Sequence, residues 1–346
     1  MRRSYSHPRG ERGVALLAAL LVTALLTVIV MQFTFRSQVA YRRTASWVNA
    51  KQASLLAESG VSLAIQLLNF DSFADLSNPP AIDSLDEEWA GTLGPIDDGS
   101  GGTITLSIED DSGRYDLNRL RSPTIEERGR AERLFEAADV DPALIGPIID
   151  WLDADTNVFP VPEGAESDTY RSLPVPYNAR NGPFRTFAEL ALVHGVTPAD
   201  LIKLRRVAAV TPDDVKAVNI NTASSPVLQA MIPRLDDEGL LRAVLAARSQ
   251  APFEKVSQIH KIDGMQGVGL GKWATVRSKY FRVRVTGGAD GAYRSVEAML
   301  RREDSQIRVL YWSQRRGPNI PKADSTLRGS LDDFGVFAHD RGLKPR

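Results

Sequence analysis

Residues 14–31 read VALLAALLVTALLTVIVM, and this stretch decides the fold because it is too long and too uniformly apolar for an ordinary core helix. No charged residue occurs from Gly13 to Phe35. At 1.5 Å per helical residue, about 20 such residues cross a hydrocarbon layer of roughly 30 Å. We therefore predict a membrane-spanning helix over residues 14–35.

The segment before this run is short and basic, with arginines at positions 2, 3, 9 and 12. Its charge favours a cytoplasmic N-terminus, with the rest of the chain on the opposite side of the membrane. A cleaved secretory signal is the alternative, but its apolar core usually spans only about 7–15 residues. A basic segment that ends in Gly13 directly before the run resembles a prepilin leader, residues 1–13. Cleavage between Gly13 and Val14 would leave Val14 as the first mature residue.

The helical pattern continues beyond the span, because residues 36–70 contain no proline. Leu56, Gly60, Leu63 and Leu67 recur there at helical spacing. We predict an amphipathic continuation of the same helix and assign these four residues to a face that contacts a partner. Packing of this face against a sheet of the same chain, or a plain juxtamembrane helix without a partner, are the alternatives.

Four later segments alternate apolar and polar residues with a period of two, which is typical of antiparallel strands with one solvated face. They read TITLSIED (residues 103–110), YFRVRVTG, YRSVEAMLRR and IRVLYWSQR. Residues 71–102 are rich in proline, glycine and acids up to the first of these strands, and we interpret that stretch as a loop. Residues 316–346 are interpreted as a C-terminal tail.

The middle of the chain, residues 119–278, is predicted to be helical. A capping residue followed by proline marks helix starts at residues 122–123, 141–142, 197–198, 211–212 and 225–226. The predicted fold class is therefore α+β. A pilin-like N-terminal helix packs on a small antiparallel sheet formed by residues 71–118 and 279–315, and a large helical domain is inserted between the two parts.

The composition is that of an ordinary globular chain, with 43% hydrophobic residues, 25% charged residues and a net charge of −1. Cysteine is absent, so disulfides and cysteine-based metal sites are excluded. The four histidines are widely separated, and neither a Gly-x-Ser-x-Gly nor a His-Glu-x-x-His motif occurs. We therefore predict that the protein is not an enzyme.

Several stretches, taken together, resemble the protein K family of type II secretion systems. They are SLDEEWA (84–90), DDSGRYDLNRL (110–120), IIDWLDADT with GAESDTY (148–170), PFRTFAEL with VHGVT (183–197) and VNINTA (218–223). The resemblance implies a minor pseudopilin in the bacterial inner membrane, with a periplasmic domain, that helps to initiate a filament and to export folded proteins. It also implies N-methylation of Val14.

The resemblance further implies a set of partners. They are the I-type and J-type minor pseudopilins in a complex at the filament tip, the major pseudopilin, the prepilin peptidase and the inner-membrane assembly platform. Most pilins carry a glutamate at the fifth mature position, where this chain has Ala18. That glutamate is thought to pair with the N-terminal amine of a neighbouring subunit, so its absence favours a position at the tip, as does the bulky inserted domain.

An acidic stretch is the best candidate for a metal site, because residues 150–200 hold eight acids against three arginines. Clustered carboxylates on a loop with proline and glycine suit calcium, which takes six to eight oxygen ligands. The family resemblance also implies calcium here. The candidate ligands are Asp153, Asp155, Glu163, Glu166 and Asp168. Solvated acids that only keep the surface soluble are the alternative.

Residues 217–263 also resemble the helix-hairpin-helix units of DNA-binding proteins, which leaves a DNA-uptake module as the alternative function. This segment holds five basic and five acidic side chains, and residues 232–239 lack the Gly-x-Gly turn that offers amides to phosphate. We therefore expect no nucleic acid partner.

The leader hypothesis predicts that a prepilin peptidase removes residues 1–13. Mass spectrometry and N-terminal sequencing of protein from membranes, with and without that peptidase, check the prediction. The expected result is a peptidase-dependent start at Val14. An intact leader in both samples contradicts it, and a start beyond Phe35 indicates a secreted protein instead.

Overall fold

The computed structural model describes residues 11–77, 79–160, 163–213, 217–303 and 306–317. The α-helices are α1 Glu11–Ser77, α2 Ile125–Ala137, α3 Ile145–Leu152, α4 Ser167–Arg171, α5 Pro198–Val207, α6 Ser225–Met231 and α7 Glu238–Gln250. The strands are β1 Gly91–Asp97, β2 Gly102–Asp110, β3 Tyr115–Asp116, β4 Ala208–Ala209, β5 Val218–Asn219, β6 Ala274–Thr275, β7 Tyr280–Ala289, β8 Ala292–Glu303 and β9 Gln306–Arg316.

Helix α1 is 67 residues long and combines two environments. Its side chains from residue 14 to residue 35 are all exposed, and within the described residues nothing packs on them. Among those residues it is also the one helix long and apolar enough to cross a membrane. The predicted membrane-spanning helix is therefore present, and it continues to Ser77, past the predicted end at Phe70.

Five strands form one antiparallel sheet in the order β1-β2-β7-β8-β9. The four strands predicted from alternation are β2, β7, β8 and β9. The interpretation of residues 71–102 as a loop was wrong in two places. The last turns of α1 occupy residues 71–77, and β1 at Gly91–Asp97 pairs with β2 as an additional edge strand.

One face of this sheet packs against the second half of α1. The sheet contributes a set of apolar side chains, namely Leu106, Ile108, Phe281, Val283, Val285, Val296, Ala298 and Leu300. The helix contributes Ala57, Val61, Ala64 and Leu68, and Trp89 closes the cluster with an edge-on contact to Phe281. The helix lies very close to the strands because Gly60 faces Val285 and Gly287 faces the backbone of Ala53 and Ala57.

The helical block has its own apolar core, formed by residues between Tyr115 and Trp273. Short 3-10 turns join its helices, at Leu117–Arg121, Pro142–Leu144, Phe187–Leu192, Pro233–Asp236, Val256–Lys261 and Gly271–Trp273. Trp151 stacks on Phe184 and meets Tyr170 edge-on. The predicted α+β fold class, with a pilin-like helix on a small sheet and an added helical block, is confirmed.

Buried hydrogen bonds join the helical block to the sheet. The carboxylate of Asp110, at the end of β2, accepts hydrogen bonds from Thr222 and Ser278, at 2.5 Å each. Asn219 donates to the Asp83 carbonyl at 3.0 Å, and its backbone N–H donates to the Ser112 carbonyl at 2.8 Å. Two of the stretches that resemble protein K, at residues 110–120 and 218–223, therefore meet at this junction.

Two predicted segments lie largely outside the described residues. They are the leader at residues 1–13, of which 11–13 are described as part of α1, and the tail at 316–346, of which 316 and 317 are described.

Candidate functional site

The second half of α1 exposes a stripe of side chains on the face opposite the sheet. Its members recur every three or four residues, as expected for one side of a helix: Leu55, Ser59, Ser62, Gln66, Phe70 and Phe73. Phe70 and Phe73 are 69% and 67% exposed, which is unusual for aromatic side chains on a folded domain. We call these six residues the outer stripe.

The predicted partner face of α1 was wrong. Leu56 and Gly60 are buried against the chain's own sheet, and the half-buried Leu63 and Leu67 also pack against that core. The physical reason is that apolar residues of an amphipathic helix bury first within their own domain. On this part of α1 the outer stripe is the side that stays exposed.

The structure brings three of the five candidate calcium ligands together. Asp153, Asp155 and Glu166 each place a carboxylate oxygen within 4.8 Å of the other two. Asp153 follows the last turn of α3, and Glu166 caps the start of α4. We call these three residues the acid triad.

The loop between α3 and α4 is shaped by Asp150, which is fully buried. Its carboxylate accepts a hydrogen bond from the Phe159 backbone N–H at 3.0 Å, and the Gly164 N–H donates to the Phe159 carbonyl at 2.9 Å. Gly164 lies so close to the Asp150 carboxylate that a side chain at this position would collide with it. Asp150 thereby folds the loop back and carries Glu166 toward Asp153.

The acid triad offers unused oxygen atoms. Asp153 Oδ1 and Glu166 Oε1 are buried and have no hydrogen-bond partner within the described chain. Burial raises the pKa of Asp153 to about 6, and the neighbouring charges of Asp155 and Asp150 add to the rise. Burial likewise raises the pKa of Glu166. Because buried, unpaired carboxylate oxygens are costly, a bound cation would stabilise this arrangement. The donor set fits calcium, which prefers oxygen.

The other two predicted ligands lie outside the acid triad. Glu163 is exposed beside an isolated bridge to Pro160. Asp168 is also exposed and forms an ion pair with Arg171 at 2.8 Å. Their assignment as ligands has no support in this arrangement, because both side chains are exposed and Asp168 is paired with Arg171.

Sequence reasoning missed Asn181, whose side chain donates to the Asp155 carbonyl at 2.6 Å. Asn181 has a positive φ of 48°, and its Oδ1 atom is buried and without a partner among the described residues. The Asn-Gly pair at 181–182 is a turn signal, and it was the available clue.

A second acidic cluster, formed by Asp71, Asp83 and Glu87, lies where α1 meets β8. Arg302 already occupies it, with contacts of 2.6 Å to Asp83 and 2.7 Å to Asp71. Burial, followed by the charge of Asp71, raises the pKa of Glu87 to about 8. Glu87 therefore holds a proton near neutral pH and can donate it to Asp71. An arginine and a shared proton offset two of the three negative charges here, so this cluster differs from the acid triad.

The segment that resembles a helix-hairpin-helix forms α6 and α7. Asp237 accepts a hydrogen bond from the Leu240 N–H at 3.0 Å at the start of α7, where a DNA phosphate would need free amides. Arg248 donates inward to the carbonyls of Ile220 and Ala223, at 3.1 and 2.6 Å. The hairpin therefore serves the packing of the block, and nothing in its contacts favours DNA binding.

Comparisons with known proteins agree with one another. Two family models described as type II secretion system protein K match residues 113–213 and 218–282. The type II secretion system protein K of Pseudomonas aeruginosa is 32% identical over 314 residues, covering 87% of this chain and 92% of the relative. The protein K of Aeromonas hydrophila is 27% identical and covers 87% of this chain and 96% of that relative.

A solved structure has the same fold. A chain in the crystal structure of the GspK-GspI-GspJ complex from the enterotoxigenic Escherichia coli type 2 secretion system matches with a TM-score of 0.66. The match covers 80% of this chain and 99% of that chain, at 23% sequence identity.

The proton on Glu87 predicts a pH dependence of stability. Because the folded chain raises the pKa of Glu87 from 4.5 to about 8, it binds more protons than the unfolded chain between these values. Stability should therefore fall as the pH rises from about 6.5 to 8, and Glu87→Gln should flatten this slope. Urea unfolding of the full-length protein in detergent at several pH values measures it. The exposed neighbour supplies the control Glu88→Gln, which should keep the slope; an unchanged slope in Glu87→Gln contradicts the assignment.

Proposed function

Because this chain belongs to the protein K family of type II secretion systems, we propose that it forms the tip of the pseudopilus together with two other minor pseudopilins. As a member of that family it is a minor pseudopilin, and α1 is the helix among the described residues that can anchor it in a membrane. The observation that carries the proposal is the likeness to the protein K relatives over 87% of the chain, together with the outward-facing stripe of α1.

The proposed orientation places the N-terminus in the cytoplasm and the sheet and helical block in the periplasm. It rests on the prepilin-like leader, which a prepilin peptidase would cleave on the cytoplasmic side of the membrane. The count of positive charges does not decide the orientation, because four basic residues lie within about 20 positions of each end of the apolar run. The anchor would hold the subunit in the inner membrane until assembly extracts it, after cleavage between Gly13 and Val14. N-methylation of Val14 is part of the same proposal.

A position at the tip agrees with two features of the chain. Ala18 removes the carboxylate that would pair with the terminal amine of another subunit, and the first acid after the leader is Glu58. The helical block widens the subunit at one end of the sheet, where lateral neighbours of a filament body would need room. We propose the I-type and J-type minor pseudopilins as partners in the tip, and the major pseudopilin as the subunit that follows. We propose no catalytic activity.

We also propose that Asp153, Asp155 and Glu166 bind calcium. The ion would neutralise three carboxylates and hold the end of α3 against the start of α4, so that its role is structural. The support is the geometry of the acid triad and its two unused buried oxygens.

Calcium should raise the thermal stability of the protein. A ligand at 100 times its Kd adds about 2.7 kcal/mol to the free energy of unfolding. Asp155→Asn and Glu166→Gln should abolish the rise in Tm on adding calcium to chelator-treated protein. The control substitutions Glu163→Gln and Asp168→Asn remove the same number of charges and should preserve the rise in Tm. An equal loss in both pairs, or no rise in the unsubstituted protein, contradicts the proposal.

The outer stripe should contact the partner helices. Since the chain has no cysteine, single cysteines can be introduced at Ser59 or Ser62 and cross-linked to single cysteines on the helices of co-expressed I-type and J-type subunits. We expect cross-links from Ser59→Cys or Ser62→Cys and none from Ser249→Cys, an exposed control in α7. Equal yields from all three positions, or none from the stripe, would contradict the proposed interface.

A further inference from the structure

The part of α1 between the membrane span and the sheet is basic throughout. From Val14 to Ala57 the chain has four positive side chains and no acid: Arg36, Arg42, Arg43 and Lys51. The three arginines are exposed, and none of them forms an ion pair within the described residues. We call Arg36, Arg42 and Arg43 the arginine collar.

The collar lies on a segment of α1 that precedes the contacts of this helix with the sheet. The first polar contacts of α1 with the sheet are those of Asn49 to Asp290, at 2.9 Å, and of Gln52 to Ser100, at 3.2 Å. The helix before them, from Arg36 onward, is exposed on nearly all sides. Its side chains are therefore free to meet whatever surrounds the helix just outside the membrane.

The spacing along the helix places the collar at the level of lipid headgroups. The apolar run from Val14 to Phe35 is about 33 Å long at 1.5 Å per residue, close to the hydrocarbon thickness of roughly 30 Å. Arg36 thus emerges at the edge of the hydrocarbon, and Arg43 lies about 10 Å farther along the helix axis. Long arginine side chains at such positions reach phosphate groups readily. Tyr41, exposed in the same segment, suits the same interface.

We infer that the arginine collar binds the headgroups of anionic phospholipids in the leaflet on the side of the sheet. This inference rests on α1 being a membrane anchor and goes beyond the proposed place of the protein at the tip. Charge complementarity selects the ligand, because three guanidinium groups without acidic partners match phosphates and an additional lipid charge.

The charges at the near end of the sheet cancel one another. Asp97, Asp98 and Asp290 lie at this end, around the first contacts of α1, and Arg294, Arg315 and Arg316 lie at the same end. The net attraction of an anionic surface for this region therefore comes from the collar. Cleavage after Gly13 would leave the collar as the main basic segment next to the membrane.

Lipid that co-purifies with the protein tests this inference. The full-length chain is purified in detergent that contains equal amounts of phosphatidylglycerol and phosphatidylcholine with identical acyl chains, and the retained lipids are counted by mass spectrometry. Each basic residue near an anionic surface contributes up to about five-fold to binding. We expect several-fold enrichment of phosphatidylglycerol, which the triple variant Arg36→Gln, Arg42→Gln, Arg43→Gln should lose.

Two further variants make the test specific. The triple variant Arg206→Gln, Arg234→Gln, Arg242→Gln removes three exposed arginines from the helical block and should keep the enrichment. Replacement of the three collar arginines by lysine preserves the charge and should keep most of the phosphatidylglycerol enrichment. Enrichment that survives in the collar Gln variant, or is absent in the unsubstituted protein, overturns the inference.

Two controls distinguish lipid binding from general anion binding and from a defect in assembly. Inorganic phosphate, compared with sodium chloride at matched ionic strength, should not displace the lipid; displacement would indicate a general anion site and overturn the lipid assignment. Leader cleavage and cross-linking of the outer stripe are measured on the same variants. If only the lipid result fails, the lipid inference is overturned and the proposed place at the tip still stands. If only cross-linking fails, the proposed interface is overturned and the lipid inference still stands.

Discussion

The close approach of α1 to the central sheet is the constraint on which the rest of the structure depends. Gly60 on the helix and Gly287 on β7 supply the room for it, because a side chain at either position would enter the opposing element. With these glycines the helix buries Ala57, Val61, Ala64 and Leu68 over the strands. The rotation of the helix is then fixed, and the outer stripe must face away from the sheet.

The other attachments follow from this position of α1. Its last turns bring Asp71 beside Arg302 on β8, where Asp83 and Glu87 complete a buried polar cluster. On the opposite face of the sheet, Arg284 and Glu297 pair with each other at 3.1 Å, and Arg205 of the helical block also pairs with Glu297. The sheet is therefore apolar toward α1 and charged toward the helical block. This difference explains how one small sheet positions two different partners within the same chain.

The sequence predicted the elements with a strong periodic signal. An uncharged run from Gly13 to Phe35 has one physical solution in a membrane protein. Alternation identified β2 and β7 to β9 because apolar residues recur at every second position on the side that faces α1, as Phe281, Val283 and Val285 do on β7. The edge strand β1 was not predicted, because its sequence GTLGPID has two glycines, one proline and little alternation. The last turns of α1 were not predicted as helix, because they carry acids that are paired only in the folded chain.

From the sequence, the kind of site could be predicted, but not which residues form it. Leu55 and Leu56 are neighbours, so helical spacing alone can assign an apolar residue to either side of α1, and only the fold shows which side is buried. Three of the five predicted acids come together, but the fold decides that Asp155 joins them and Asp168 does not. The stretches that resemble protein K include residues of the buried junction, such as Asp110 and Asn219, which a single sequence could not pair across 109 positions.

The central claim is that close packing of α1 on the sheet holds the subunit together and fixes its outward face. The most direct test is urea unfolding of the full-length protein in detergent, comparing Gly287→Val with Gly269→Val, a glycine that has open space around its Cα. The account predicts a loss of about 1–3 kcal/mol or more for Gly287→Val and little change for Gly269→Val. Equal stability of the two variants would show that the helix does not depend on this approach and would contradict the account.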